Sequence, residues 1–230
     1  LFPYTTLFRS IDYVFQCVML DHPEIFYVEG YSYNKYLVGD RVISINFSGT
    51  YNCDSKEAKE KKEQMTQAAE EILKGMPKDT SDYEKMKYVY ETVVLQTDYD
   101  LEADDNQNIY SVFVNHRSVC LGYAKAAQYL LLRSGVECTL VQGIVGEGES
   151  HAWNLVKADD EYYYMDVTWD DSLRSREYFL VPADAGFEDE HIADSKYTGE
   201  DFTEHYPMAD KAFDVQTEGL LLSLRGLALS

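Results

Sequence analysis

Residues 119–171 read VCLGYAKAAQYLLLRSGVECTLVQGIVGEGESHAWNLVKADDEYYYMDVTWDD, and this stretch decides the fold. Apolar residues recur at three- and four-residue steps from Val119 to Leu132, which predicts a helix with Ser118 as its N-cap and Ser134-Gly135 as its stop. These residues lie on nearly all sides of the helix, so we expect it to be buried. Cys120 lies in the first turn, where unpaired N–H groups and the helix dipole favour an anion. Such a position favours a reactive thiolate.

Two strand-like runs follow this helix. They are HAWNLVK, which begins at His151, and EYYYMDVT, which spans residues 161–168. The polar break Ala158-Asp159-Asp160 between them predicts a tight antiparallel hairpin. If the turn is centred on the first two of these residues, facing residues have numbers that sum to 317, and His151 faces Asp166. The carboxylate can then hold one imidazole nitrogen and leave the other for a thiol, whereas a one-residue slip would put the two on opposite faces.

Three short motifs carry a resemblance to a known family. They are CLGYA at 120–124, HAWN at 151–154 and DVTW at 166–169. Together they resemble the motifs of the transglutaminase-like superfamily, whose members are papain-like Cys-His-Asp proteins. The order of the three side chains and their spacings of 31 and 15 residues fit that family. The resemblance covers residues 81–171 well and the remainder weakly.

The resemblance implies a fold and a set of roles. The fold is α+β, a papain-like transglutaminase core in which the nucleophile helix packs on an antiparallel β-sheet, with a small N-terminal α/β extension. Cys120 would be the nucleophile, His151 the general base and Asp166 the orienting carboxylate. The implied reaction is acyl transfer or hydrolysis on protein or peptide amides through a cysteine thioester. A lysine amine as acceptor gives cross-linking, and water gives deamidation or proteolysis. The alternative is a non-catalytic binding or scaffolding module at the cell surface.

Further residues are candidates for the same site. Gln107 and Tyr110 precede the nucleophile in the region where related enzymes place an oxyanion donor, although the backbone N–H of Cys120 is the better-founded donor because a helix N-terminus presents it. Trp153 and Trp169 flank the hairpin, where each either packs the sheet or roofs the substrate groove.

Several other residues have side chains that could take part in catalysis or metal binding. His116 is an alternative base, but it lies in a predicted loop without a companion aspartate. The acidic loop at 98–108 resembles a calcium loop but lacks the glycine at position six and the glutamate at position twelve, so we expect a solvated loop. Cys17 and Cys53 would pair only in an oxidising compartment, and Cys138 is expected to be a small core residue. No CxxC pair or cluster of ligands suggests a metal, and no cofactor is implied.

The chain divides into four predicted segments. Residues 1–10, LFPYTTLFRS, match the translation of a sequencing-adapter oligonucleotide and are predicted to be an artefact of a metagenomic fragment. Residues 11–80 form an extension of helix, hairpin and helix, and 81–215 form the catalytic domain. Within the latter, 186–207 is predicted to be irregular, with His191 on a loop. Residues 216–230 are a tail of uncertain structure.

The composition of the chain indicates which classes of molecule it can bind. The 230 residues carry a formal net charge of −21, which argues against nucleic acid or an anionic membrane. Apolar residues make up 45%, enough for a core, yet no stretch of about 20 apolar residues would span a membrane. The expected partner is a protein or peptide substrate that offers glutamine or lysine side chains or peptide bonds. Resemblance to bacterial cell-surface relatives suggests secretion or display at the cell surface, while the oligomeric state stays open.

Overall fold

The computed structural model describes residues 4–78, 80–173 and 175–215, with side chains from residue 11 onward. The helices are α1 (Tyr4–Asp21), α2 (Ser55–Gly75), α3 (Asp82–Gln96), α4 (Cys120–Arg133), α5 (Val167–Leu173), α6 (Phe187–Glu190) and α7 (Glu200–His205). The strands are β1 (Val28–Val38), β2 (Arg41–Tyr51), β3 (Asp98–Tyr99), β4 (Arg117–Ser118), β5 (Cys138–Val145), β6 (Glu149–Ala158), β7 (Glu161–Met165), β8 (Phe179–Val181) and β9 (His191–Ala193). A single π-helical turn spans Ser111–Asn115. No helix in these described ranges is both long and apolar enough to cross a membrane.

A five-stranded antiparallel sheet forms the centre of the fold. Its order is β8-β7-β6-β5-β9. Helix α4 packs against β5 and β6, and its buried side chains, among them Tyr123 and Leu130, join the main core with residues of α2 and α3. The predicted α+β fold, with the nucleophile helix on an antiparallel sheet, is confirmed.

The hairpin of β6 and β7 has a different register from the predicted one. Ala158 pairs with Glu161, and Tyr163 faces Val156 rather than Asn154, so the facing numbers sum to 319. The turn is Asp159-Asp160, and Asp159 adopts a φ of 56°, a left-handed conformation that aspartate tolerates. A displacement of two residues keeps every side chain on its predicted face.

The start of the nucleophile helix and the end of the hairpin also differ from the prediction. Helix α4 begins at Cys120 with Val119 as its N-cap, and the Ser118 hydroxyl donates instead to the carbonyl oxygen of Asn106. Strand β7 ends at Met165 rather than continuing to residue 168. The chain turns there into α5, so Asp166 lies at the junction of a strand and a helix.

The N-terminal segments are a helix, an antiparallel hairpin and a second helix. The turn Gly39-Asp40 joins β1 and β2 into an antiparallel hairpin. Ser81 caps α3 by accepting a hydrogen bond from the N–H of Glu84 at 3.1 Å. Helix α1 begins at Tyr4, within the segment predicted to be an artefact, and the predicted tail at 216–230 lies outside the described residues.

Residues 186–207 are more ordered than predicted. They form α6, β9 and α7, and β9 pairs with β5 at the edge of the sheet. This pairing needs Gly143, because a Cβ atom there would lie 2.2 Å from the carbonyl oxygen of Ile192. Phe187, at the start of α6, joins a second, aromatic core on this side of the sheet together with Trp153 and Tyr164.

Candidate active site

Cys120 lies at the start of α4, at the bottom of a surface groove. The N–H groups of Gly122 and Tyr123 donate to the carbonyl oxygen of Val119, whereas those of Cys120 and Leu121 precede the first intrahelical bond. The groove has a volume of about 420 Å³ and is lined by Tyr99, Leu101, Asn106, Gln107, Val119, Cys120, Leu121, Gln142, Ser150, His151 and Ala152. The thiol is partly exposed to this groove.

The position of α4 depends on a glycine in its first turn. A Cβ atom at Gly122 would lie 2.0 Å from the Ser118 hydroxyl oxygen and 3.1 Å from the carbonyl oxygen of Asn106. The helix therefore approaches the preceding loop closely at this one position. This gives the third residue of the CLG motif a packing role.

His151 connects the thiol with Asp166. Its Nε2 atom donates to Asp166 Oδ2 at 2.6 Å. Its other nitrogen is left for Cys120, which also influences the pKa of the ring. Burial lowers the pKa of His151, but the hydrogen bonds to Asp166 and Cys120 and the negative charge of Asp166 outweigh burial and raise the pKa to about 9. The imidazole therefore holds its proton at neutral pH.

Asp166 is completely buried and accepts several hydrogen bonds. The backbone N–H groups of Thr168 and Trp169 donate to Oδ1 at 3.0 and 3.1 Å, so the carboxylate caps the first turn of α5. Burial alone would raise the pKa of Asp166, but the hydrogen bonds from His151 and His191 lower it below its ordinary value. The group is thus a fixed anion that orients the imidazole.

His191 is the member of this network that the sequence did not reveal. Its Nε2 atom donates to the same Asp166 Oδ2 at 2.9 Å, and its side chain has no exposed surface. The ring stacks on Phe187 at a centroid distance of 3.9 Å, and its Nδ1 atom has no hydrogen-bond partner among the described residues. The prediction of a loop histidine at this position is therefore wrong. The only signal in the sequence was a histidine next to two apolar residues, which is too weak to assign.

His151, Asp166 and His191 also form the one cluster of potential metal ligands within the described ranges, with ligand atoms within 4.8 Å of one another. Both Nε2 atoms are at hydrogen-bonding distance from a single carboxylate oxygen, at 2.6 and 2.9 Å. Ligands of a tetrahedral zinc ion lie about 2.0–2.2 Å from the metal and hence farther from one another. The arrangement fits a hydrogen-bond network better than a metal centre.

The two candidates upstream of the nucleophile lie in different surroundings. Gln107 is exposed and lines the groove beside Cys120. Tyr110 does not line the groove. Its hydroxyl donates to Gln64 Oε1 at 2.8 Å and its ring stacks on Phe26. The alternative base, His116, is exposed, has a φ of 57° after the π-helical turn, and is also outside the groove lining.

The two tryptophans both pack near the histidines. Trp153 is 1% exposed and contacts Phe187 and His191 in the aromatic core, so it does not roof the groove. Trp169 is partly exposed, with its ring centroid 6.0 Å from His151 and 4.4 Å from His191. It therefore lies beside both histidines that are hydrogen-bonded to Asp166.

Other predicted features have structural roles. All four cysteines are free, and Cys138 is buried, so its prediction as a core residue is confirmed. Two acids of the loop at 98–108 form ion pairs: Asp100 pairs with Arg117, and Asp105 lies 3.3 Å from the ammonium of Lys61.

Part of the chain is similar to known proteins. The model of the transglutaminase-like superfamily matches residues 66–167. None of the curated proteins compared with the chain matches it. Among solved structures, a TGase shares 22% identity over 51% of this chain and 34% of its own, with a TM-score of 0.41. A proposed cysteine protease from Cytophaga hutchinsonii shares 16% identity over 53% of this chain and 40% of its own, with a TM-score of 0.39.

A third solved structure is the arylamine N-acetyltransferase from Bacillus cereus, which has a Cys-His-Glu triad. It shares 18% identity over 46% of this chain and 49% of its own, with a TM-score of 0.33. In each of these three comparisons the chain covers less than half of the other protein. The resemblance seen in the three motifs is confirmed by the match of residues 66–167 to the model of the transglutaminase-like superfamily.

Proposed function

We propose that the protein transfers acyl groups from protein or peptide amides through a thioester on Cys120. The observation that carries the proposal is the connected series of Cys120, His151 and Asp166, in which the imidazole holds its proton between a thiol and a buried carboxylate. A nucleophile, a base and an orienting group within hydrogen-bonding reach form the arrangement that nucleophilic catalysis requires.

The first half-reaction forms the thioester. The Cys120 thiolate attacks the amide carbonyl carbon, forming a C–S bond and a tetrahedral oxyanion. The C–N bond then breaks, and the protonated His151 gives its proton to the leaving amine. Asp166 keeps the imidazole in place and stabilises its positive charge, as an orienting carboxylate does in the serine-protease triad.

The oxyanion needs donors at the start of α4. The backbone N–H of Cys120 is positioned there, since it has no acceptor within the helix. The exposed amide of Gln107 lines the same groove and is the second donor that we propose.

In the second half-reaction His151 takes a proton from water or an amine, the acceptor attacks the thioester, and the C–S bond breaks to restore the thiolate.

The proposal is tested with a glutamine-containing peptide such as acetyl-Gly-Gln-Gly-Gly. Intact-protein mass spectrometry after an acid quench should show an acyl adduct on Cys120, and ammonia should be released. Glycine ethyl ester added as an amine acceptor distinguishes transfer to an amine from hydrolysis. Peptide fragments in the product would indicate proteolysis instead.

Two variants control this experiment. Cys120→Ala should abolish the adduct and the turnover, whereas Cys138→Ala should keep both, because that thiol is buried away from the groove. If neither glutamine peptides nor unfolded protein substrates give an adduct or a product, the proposal fails. A non-catalytic binding module, the alternative function, would then be favoured.

A further inference from the structure

A second, larger cavity adjoins the groove. Its volume is about 720 Å³, and its wall includes Asn106, Gln107, Leu121 and Gln142, which also line the groove at Cys120. Residues of α1, among them Phe15 and Leu20, form another part of its wall. A substrate held at the thiol can therefore extend into this cavity, which we call the side cavity.

Lys125 is the unpaired cation of the side cavity. It lies on α4, one turn after Leu121, and its side chain lines the cavity. Its ammonium has neither an ion pair nor a hydrogen bond to any residue that the structure describes. Burial lowers the pKa of Lys125 to about 8, in keeping with an ammonium that has no carboxylate partner.

The acidic groups of the same wall do not neutralise this lysine. Asp105 is already paired with Lys61 at 3.3 Å. Glu29 is exposed, so solvent screens its charge. The remaining polar wall consists mostly of amides, namely Gln16, Asn52, Asn106, Gln107, Asn108 and Gln142. Amides and one poorly solvated ammonium favour a ligand with a single negative charge.

The geometry points to a substrate carboxylate as the ligand of Lys125, located in the side cavity while the reacting amide lies at Cys120. This inference rests on the proposed acyl transfer, because one substrate would occupy both spaces. Lys125 follows Cys120 by five positions, which is about 7.5 Å along the helix axis and about 140° around it. An extended peptide advances about 3.3–3.6 Å per residue, so the carboxylate should follow the reacting residue by two or three positions.

Binding to the Cys120→Ala variant tests the inference without any turnover. The probes are acetyl-Gly-Gln-Gly-Gly with a free C-terminal carboxylate and the same peptide with a C-terminal carboxamide. Isothermal titration should show about tenfold tighter binding of the carboxylate peptide, the order expected for one hydrogen bond between charged groups. A carboxamide peptide that ends in aspartate tests whether a side-chain carboxylate serves as well as a chain terminus.

Lys125→Met in the same background should remove the discrimination and leave the affinity for the carboxamide peptide unchanged. Lys74→Met is the matched control, since it removes the same charge from an exposed position on α2 and should preserve the discrimination. Lys125→Met should also be at least as stable to urea as its parent, because it replaces an unpaired, desolvated charge with an apolar chain of similar length. Retained stability would exclude misfolding as the cause of lost discrimination.

Several results would overturn the inference. They are equal affinity of the Lys125-containing protein for both peptides, discrimination that persists in Lys125→Met, or no binding of either peptide. Because these measurements use a protein without the nucleophile, they fail or succeed independently of the thioester. An active enzyme that does not discriminate between the probes would keep the proposed function and refute only the carboxylate site.

Discussion

Replacing Asp166 with asparagine removes the charge that keeps His151 protonated. An asparagine at this position also brings an NH₂ group toward two histidine Nε2–H donors, which cannot accept from it. In the wild type the pKa of His151 is about 9, because hydrogen bonds and the Asp166 charge outweigh burial. In Asp166→Asn the contributions of Asp166 are lost, and we expect the pKa of His151 to fall to about its ordinary value of 6.5.

The lower pKa of His151 in Asp166→Asn implies that the unfolding free energies of the variant and the wild type depend differently on pH. A fall of about 2.5 pKa units is worth about 3 kcal/mol at 1.36 kcal/mol per unit. Because the folded-state pKa of His151 is raised, its contribution is fully present below pH 6.5 and is lost as the pH rises through about 9. The wild type should therefore lose up to about 3 kcal/mol of unfolding free energy over this interval, and Asp166→Asn should not.

Two assays measure the pKa of His151 and the pH dependence of the unfolding free energy. Long-range ¹H–¹⁵N NMR follows the titration of the His151 ring, and urea unfolding from pH 6 to 9.5 gives the free energy. Asp160→Asn is the matched control, since it removes the same charge from the exposed turn and should behave as the wild type. A His151 ring that titrates near 9 in Asp166→Asn, or near 6.5 in the wild type, would show that Asp166 does not keep His151 protonated.

Three further substitutions, and a fourth that should rescue one of them, test the surroundings of the site. His191→Phe keeps an aromatic ring but removes one donor to Asp166, so kcat should fall with little change in KM, and urea unfolding should show a loss of about 1.5–3 kcal/mol. Gly143→Ala should destabilise by about 1–3 kcal/mol and increase hydrogen exchange in β9, because its Cβ atom would collide with that strand. Gly122→Ala should destabilise similarly in thermal unfolding, and Ser118→Ala should recover part of the loss by removing the hydroxyl oxygen that would lie 2.0 Å from the new Cβ atom. Unchanged stability in either glycine variant would contradict the close contacts described.

The sequence predicted the juxtaposition of His151 and Asp166 but not its exact register. Strand alternation fixes which face a residue lies on, and that face was predicted correctly. The pairing depends on which residue of the turn adopts the left-handed conformation, and two adjacent aspartates leave this choice open. The change from β7 to α5 was missed because the run EYYYMDVT is rich in tyrosine, valine and threonine, which favour strands. Asp166 ends the strand by capping the helix, which is a tertiary outcome.

The sequence did not predict the contact of His191 with Asp166 or the position of Lys125 in a cavity. His191 reaches Asp166 only because β9 joins the edge of the sheet, 25 residues later in the chain, through a close approach at Gly143. Helical periodicity places Lys125 on the face of Leu121 but does not show that α1 encloses a cavity over that face. Both features depend on long-range packing, for which a single sequence carries no local signal.

The most direct test of the account is the rate of Cys120 alkylation by iodoacetamide as a function of pH, measured by peptide mapping in wild type and His151→Ala. Buried Cys138 serves as an internal control in the same protein. If Cys120 and His151 form a thiolate–imidazolium pair, alkylation of Cys120 is rapid well below pH 8.5, the ordinary pKa of a free thiol, and much slower at the same pH in His151→Ala. Slow alkylation of Cys120 that the substitution leaves unchanged would contradict an activated pair of thiolate and imidazolium.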